Sequence, residues 1–404
     1  MRNFARLFMA AALATTALNA GIARAQSAQP IQIGLIAPTS GIYARPGQVM
    51  KMGAEMAIAD VNAAGGIACM GGAPLELVTI DSGDSVEKAT NAAQRMVADY
   101  PGLVGATGAY LSSFTLAVSE VTERANLPLL TLSYSDLITS RGFKNIFQTS
   151  ATAGVQAQIA LPIIMDLAER ETGKRPKTVA IITDNTAASL ASVDRMKKGL
   201  LKDVGLDLSF EQVFTPPLAD ATALVQQVRQ KKPDLLFFLP TVISDSKLIL
   251  EKMKEFRVSV PVVSFGIAIA EPEVLNTMQA SLLEGVMSAV ANWGSKGQEA
   301  LIQRLKDKYG EPWMTQNAIS TYGDIWLFKD ALDKSCSRDR AALGETLRTL
   351  NAGPAKYFPG GTLSFDDKGH REGASLTIIQ WQKGVPVTVY PEDLALSKPV
   401  WPAN

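Results

Sequence analysis

From Ile31 onward the chain alternates short apolar runs with longer stretches whose apolar residues recur at helical spacing, and it does so in two series. The first series holds IQIGLIAP, LELVTIDS, GLVGATG and PLLTLS; the second, beginning at Lys177, holds TVAIITD, LSFEQVF, DLLFFLP and VPVVSFG. Runs that are apolar almost throughout suit strands buried on both faces, and helices between them carry the chain back so that the strands lie parallel. Val49, Met52, Met56, Ala59 and Val61 show the helical spacing, which Gly65-Gly66 ends as a C-cap. The pattern predicts an α/β fold made of two doubly wound halves. After Gly285 the rhythm changes to VMSAVANW, a long helical region from Lys296 to Leu350, and a hairpin-like TLSFDDKGHREGASLTIIQW. Such a tail is expected to return to the first half and then cross again. No short repeat or low-complexity linker interrupts the chain, so the duplication is one of architecture.

Residues 1–25 join Arg2 and Arg6 to an apolar run and end in Ala23-Arg24-Ala25, the three-part pattern of a secretory signal peptide. The mature chain is expected to begin near Gln26, outside the cytoplasm and without a retained membrane span. Lys and Arg total 39, as do Asp and Glu. Removing Arg2, Arg6 and Arg24 changes the balance to 36 minus 39, about −3. A near-neutral surface without basic clusters argues against nucleic acid, which is held through many Lys and Arg contacts to phosphates. About 380 mature residues exceed what one core usually supports, so two domains are expected. Cys69 and Cys336 are the only thiols, and an oxidising compartment permits one disulfide, but spacing alone leaves paired and unpaired forms equally open. The single histidine, His370, lies in DDKGHRE, where a solvated turn residue is expected.

The segment from Gly105 to Asp136 reads GATGAYLSSFTLAVSEVTERANLPLLTLSYSD: a strand, a Gly/Ser loop, a helix, a second strand and a second Ser-rich loop. Ligands of open α/β sheets settle outside the carboxyl ends of the strands, so Ser112, Ser113, Ser133 and Ser135 are expected to face one small site. Ser112 and Ser113 begin the helix, where unpaired N–H groups and the helix dipole favour a carboxylate. A plain N-cap role is the structural alternative for Ser112.

The site contains no catalytic base. A G-x-S-x-G elbow is absent, no Walker loop occurs, GATGAY lacks dinucleotide-fingerprint spacing, and neither cysteine has metal-ligand or basic company. Asp366-Asp367 adjoins a turn glycine, where solvated or capping acids are ordinary. The sequence therefore points to a binding protein, with neither metal nor cofactor, rather than to an exported hydrolase.

The order of IGLIAPTSG, MGAEMAIADVNAAGGI, LELVTIDSGDS, GATGAYLSSFTLAV, NLPLLTLSYSD, KTVAIITDN, KPDLLFFLP and TLSFDDKGHREG resembles the branched-chain-amino-acid type of periplasmic substrate-binding protein, relatives of the leucine/isoleucine/valine-binding protein of ABC importers. The resemblance covers essentially the whole mature chain. It implies a type I periplasmic-binding-protein fold, two lobes joined by three crossover strands, closing on a small ligand by hinge motion and delivering it to a membrane permease, as a monomer. The implied lobes are 26–150 plus 290–371 and 151–289 plus 372–404, with crossings near 148–152, 287–292 and 370–375. A ligand-sensing receptor subunit would use the same fold.

In such relatives the amino-acid carboxylate is held at positions corresponding to Ser112, Ser133 and Ser135. An acid expected after VPVVSF, to meet the ammonium, is missing: the loop reads Gly266-Ile267-Ala268-Ile269, with no acid before Glu271. The aromatic residue expected after Asp184-Asn185 is replaced by Ala187-Ala188. A buried ammonium without a countercharge costs several kcal/mol. The departures suggest a carboxylate ligand without an α-ammonium, an aromatic or aliphatic acid; the competing reading is that Glu271 or Asp184 supplies the charge to a branched-chain amino acid. Tyr43, Tyr110, Tyr134, Phe265, Ile267 and Trp293 are the candidate apolar contacts.

Overall fold

A computed structural model describes residues 29–353 and 355–401; the expected signal peptide lies outside the described residues. The first parallel sheet contains β1 (Ile31–Ala37), β2 (Leu75–Asp81), β3 (Leu103–Gly108), β4 (Leu129–Thr131) and β5 (Ile146–Gln148), in the order β2-β1-β3-β4-β5. Helices α1 (Ala44–Ala63), α2 (Val86–Asp99) and α3 (Ser112–Arg124) connect its strands. α4 (Ala153–Thr172) then leads to the second sheet. That sheet contains β6 (Thr178–Asp184), β7 (Asp207–Phe214), β8 (Leu235–Leu239), β9 (Val262–Phe265), β10 (Met287–Val290), β11 (Thr377–Gln382) and β12 (Val385–Tyr390), in the order β12-β11-β10-β9-β8-β6-β7. Its helices are α5 (Ala187–Arg195), which runs through a π-helical turn into α6 (Leu201–Asp203), then α7 (Thr222–Lys231), α8 (Ile243–Glu255) and α9 (Val274–Thr277). β11 runs antiparallel to both its neighbours, β10 and β12, while the other pairs in the sheet are parallel. β3 and β8 are buried along their whole length, as expected for strands covered on both faces.

The region from Lys296 to Leu350 is three helices, not one: α10 (Glu299–Tyr309), α11 (Gln316–Ser335) and α12 (Arg340–Arg348). Gly310, with φ +77°, and Pro312 separate the first two, as left-handed backbone and a missing N–H must. Ile319, Tyr322, Ile325 and Phe328 of α11 join Ile33, Leu35 and Val104 in one core cluster, so this late segment covers the first sheet. The second sheet has clusters of its own around Phe238 and Phe237 on its two faces.

The chain passes between the sheets after β5, after β10, and again at 370–377, where Gln148 pairs parallel with His370. DDKGHRE is a turn, closed by an antiparallel bridge between Phe365 and Arg371 with Asp367 and Lys368 exposed, but its histidine is not a freely solvated turn residue. His370 is half-buried and bonded to the Thr139 hydroxyl and to Asp366, because the turn is pressed onto the first crossing. The hairpin proper is β11 and β12.

Cys69 and Cys336 form a disulfide with Cα atoms 5.7 Å apart, joining the loop after α1 to the end of α11 across 267 residues of sequence. A crosslink over so long a span restricts the unfolded chain more than the folded one. Cys69→Ala/Cys336→Ala is expected to lose about 2–4 kcal/mol of unfolding free energy. Urea unfolding with and without reductant measures it; wild type insensitive to reductant would contradict the assignment.

Candidate functional site

The loops at the carboxyl ends of both sheets converge on one cavity of about 70 Å³. One water needs only about 10–15 Å³ of such space, so the enclosed room suits a small molecule and excludes a macromolecule. From the first sheet come Tyr110, Ser112, Ser113, Ser133 and Tyr134; from the second come Ala187, Ala188, Phe265, Gly266 and Ile267; Gln316 closes the floor from α11.

The loop between β3 and α3 has three successive residues in the left-handed region: Gly108 at φ +123°, Ala109 at +64° and Tyr110 at +39°. For Tyr110 this conformation is uncommon and costs of order 1–3 kcal/mol, the kind of strain that collects at binding sites. The turn brings the start of α3 to the cavity, where the first N–H groups have no helical acceptor. Ser112 is the first helical residue, not the N-cap, which is Leu111. Its oxygen accepts from the Tyr134 and Ser135 N–H groups at 3.2 and 3.1 Å. It therefore fastens the two Ser-rich loops together while its own O–H stays free to donate.

Ser133 donates to the Tyr110 carbonyl at 2.9 Å, and its oxygen also meets the hydroxyls of Thr115 and Thr131. It lines the cavity with its hydroxyl already committed. Ser135 does not line the cavity: its oxygen accepts from Leu137 N–H in a local turn, and its carbonyl takes a bond from Gln148. That amide also donates to the Ser133 carbonyl, so the first crossing grips the second Ser loop.

Tyr43, Asp184 and Trp293 also lie outside the lining. Tyr43 packs its ring 6.2 Å from Tyr110 and 6.0 Å from Phe114, supporting the wall from behind. Asp184 ends β6 with its oxygens turned into the protein, accepting from the Thr186 N–H and hydroxyl and from Thr241 N–H. Trp293 is in the second sheet's core. Tyr110, Tyr134, Phe265, Gly266 and Ile267 do meet at the cavity, and Phe265 is held edge-on against Phe237 at 5.4 Å. Gly266 has φ +133°, a conformation side-chain-bearing residues rarely adopt.

No described lining residue is charged. Glu271, the nearest candidate in sequence for a countercharge, is 1% exposed and also outside the lining. Burial pushes its carboxyl up to about 8, against the pull of Arg45 and helped by Glu273 and Glu311. At neutral pH it is mostly protonated. Arg45 is spent elsewhere, on Glu273 at 2.6 Å and Glu311 at 2.5 Å, joining α1 to the loop after β9.

Sequence reasoning missed Gln156, Ser189, Ser192, Thr241 and Gln316, all of which line the cavity. All but Thr241, which lies in the loop after β8, are on helices, where polar residues ordinarily face solvent, so nothing local marks them.

Ser112→Ala leaves two buried N–H groups without their acceptor, and is expected to cost about 1–3 kcal/mol of stability as well as weakening ligand binding. Urea unfolding of the ligand-free variant checks the first part. An unchanged midpoint would mean that the Ser loops do not depend on this hydroxyl.

The family described as periplasmic binding protein matches residues 30–385. The chain is 28% identical to Leu/Ile/Val-binding protein homolog 7 of Brucella melitensis over 400 residues, covering 96% of this chain and 97% of that one. Among solved structures, it is similar to a branched-chain amino acid transporter substrate binding protein of Streptococcus pneumoniae in complex with isoleucine, at TM-score 0.73 and 19% identity over 89% of this chain and 100% of the other. A fatty acid ABC transporter substrate-binding protein from Thermomonospora curvata matches at TM-score 0.73 and 20% identity, over 89% of this chain and 91% of that one.

Proposed function

The chain belongs to the periplasmic binding protein family, and from that premise we propose that it is the extracytoplasmic solute-binding component of an ABC importer, holding a small hydrophobic carboxylate in the cavity between two lobes. The lobes are 26–150 plus 290–371 and 151–289 plus 372–404. They close about the three crossings, and the closed form is presented, as a monomer, to a membrane permease. Export by removal of residues 1–25 belongs to the same reading.

The observation that carries the ligand class is the lining itself: a helix N-terminus with free donors, Ser112 and Ser113 beside it, and no charged side chain. Free N–H groups and the positive helix end favour a carboxylate. An α-ammonium buried in the same space would find no anion, since Asp184 is turned away and Glu271 is protonated at neutral pH. An acid without an ammonium fits better. A catalytic reading lacks a base, because His370 does not line the cavity.

A second reading, a branched-chain amino acid, is favoured by the relatives' names, and its ammonium would have to be met by neutral oxygens alone. A thermal-shift and calorimetric screen of leucine against 4-methylpentanoate, its deaminated analogue, and against 3-phenylpropanoate separates the two. A ligand at 100 times its Kd adds about 2.7 kcal/mol of stability. Preference for the acids supports the reading; preference for leucine over 4-methylpentanoate overturns it in favour of the second.

A further inference from the structure

The second-sheet wall of the cavity presents four hydroxyls and one amide, from Thr186, Ser189, Ser192, Thr241 and Gln156. Three of the hydroxyls are committed within the protein. Thr186 donates to Asp184 at 2.7 Å, Ser189 donates to the Leu239 carbonyl at 3.1 Å, and Thr241 pairs with Thr186 at 3.2 Å. Gln156 and Ser192 differ. They are 4% and 6% exposed, yet among the described residues neither the Gln156 Oε1 nor the Ser192 hydroxyl has a hydrogen-bond partner.

The orientation of Gln156 is fixed by chemistry. Its Nε2 donates to the Ala151 carbonyl at 2.8 Å, and a carbonyl can only accept, so the oxygen is the atom left over. Ser192 lies within α5, where a serine can bond the carbonyl four residues back; Ser192 makes no such bond. Two polar atoms on side chains this well buried that line one cavity and make no bond within the described protein are available to an atom of the ligand. The pair offers one acceptor that cannot donate and one hydroxyl that can do either. Both are neutral, and so is the rest of the lining.

We propose that Gln156 and Ser192 form a subsite that recognises a hydroxyl group on the part of the ligand remote from its carboxylate. The ligand hydroxyl donates to Gln156 Oε1 and accepts from the Ser192 O–H. A hydrocarbon tail leaves both unpaired, and a ketone leaves Gln156 unpaired. The preferred solute class is then a hydroxy acid whose hydroxyl sits at the tail, a phenolic acid being one example. This inference rests on the carboxylate reading above and specifies the other end of the same molecule.

The test is a matched pair, 3-phenylpropanoate and 3-(4-hydroxyphenyl)propanoate, titrated calorimetrically into the wild-type protein, Ser192→Ala and Gln156→Met. The hydroxylated acid is expected to bind wild type about 10-fold tighter or more, since a site built to pair a hydroxyl discriminates against the analogue lacking it. Each substitution is expected to erase most of that preference, bringing the ratio of the two affinities to within about threefold of one. The wild-type comparison needs no variant to fold. Equal or weaker binding of the hydroxylated acid, with the plain acid still bound, overturns the subsite and leaves the carboxylate reading intact. Binding of leucine with neither acid bound overturns both.

Discussion

Glu271→Gln is expected to stabilise the folded protein, by an amount that grows with pH. Burial raises the folded carboxyl to about 8, against an ordinary value of 4.5. Below the ordinary value both folded and unfolded chains hold the proton and the side chain costs nothing electrostatically. Between there and about pH 8 the unfolded chain releases a proton that the folded chain keeps, so stability falls as pH rises. Above pH 8 the cost is constant. At about 1.36 kcal/mol per pH interval of one, the penalty is on the order of 3 kcal/mol at pH 7 and 4–5 at its plateau. The groups facing Glu271 are Arg45, Glu273, Glu311, Asn317 and the Tyr110 hydroxyl, and the Asn317 amide, which donates to Glu271 Oε1 at 3.1 Å, retains an acceptor in the variant. Urea unfolding of both proteins at pH 5 and pH 8 reads the difference. A gain that is the same at both pH values would show that the carboxyl is not held protonated.

The opposite effect is expected at Arg371, which is 3% exposed at the third crossing. Its Nε donates to the Thr149 carbonyl at 2.9 Å, one Nη to the Gly360 carbonyl at 2.7 Å, and the other to the Pro359 carbonyl at 2.7 Å. The ring of Phe358 lies beneath it at 5.3 Å. No carboxylate pairs with it among the described residues, and burial pulls the guanidinium down to about 10. Its work is to gather carbonyls from the first crossing and the 359–362 loop. Arg371→Met strips their donors and leaves them buried, at an expected cost of about 3–5 kcal/mol. Arg371→Lys supplies fewer donors in the wrong geometry and is expected to recover only part. Denaturant unfolding of the two variants checks the order, and a loss under about 1 kcal/mol for Met would mean that these carbonyls find other donors.

Strands such as β3 and β8 were legible in the sequence because burial on both faces leaves a continuous apolar run. β5, with three residues, is too short to leave a pattern and was readable only as part of a crossing. The Ser-rich loops were legible because strand ends followed by Ser and Gly are where α/β sheets bind ligands, and Ser112, Ser113 and Ser133 do reach the cavity. Which of their hydroxyls remain available was not legible. Ser133 spends its own on Tyr110, Thr115 and Thr131, and Ser135 turns to Leu137, because a hydroxyl bonds whatever three-dimensional neighbour lies within about 3 Å.

Asp184 and Glu271 make the same point for charge. As letters, both are carboxylates within reach of the site; as placed groups, one is consumed by backbone and hydroxyl donors and the other is desolvated enough to keep its proton. The sequence by itself determined the repeated strand and helix pattern, the absence of catalytic and nucleotide motifs, and the serine cluster at the strand ends, because these depend on residue type and short-range spacing. The tertiary structure alone decided the Cys69–Cys336 bridge, the return of α11 to the first sheet, and the meeting of Gln156 and Ser192 at the cavity with the serines of the opposite lobe. Those depend on contacts between residues far apart in the chain, which no local periodicity records.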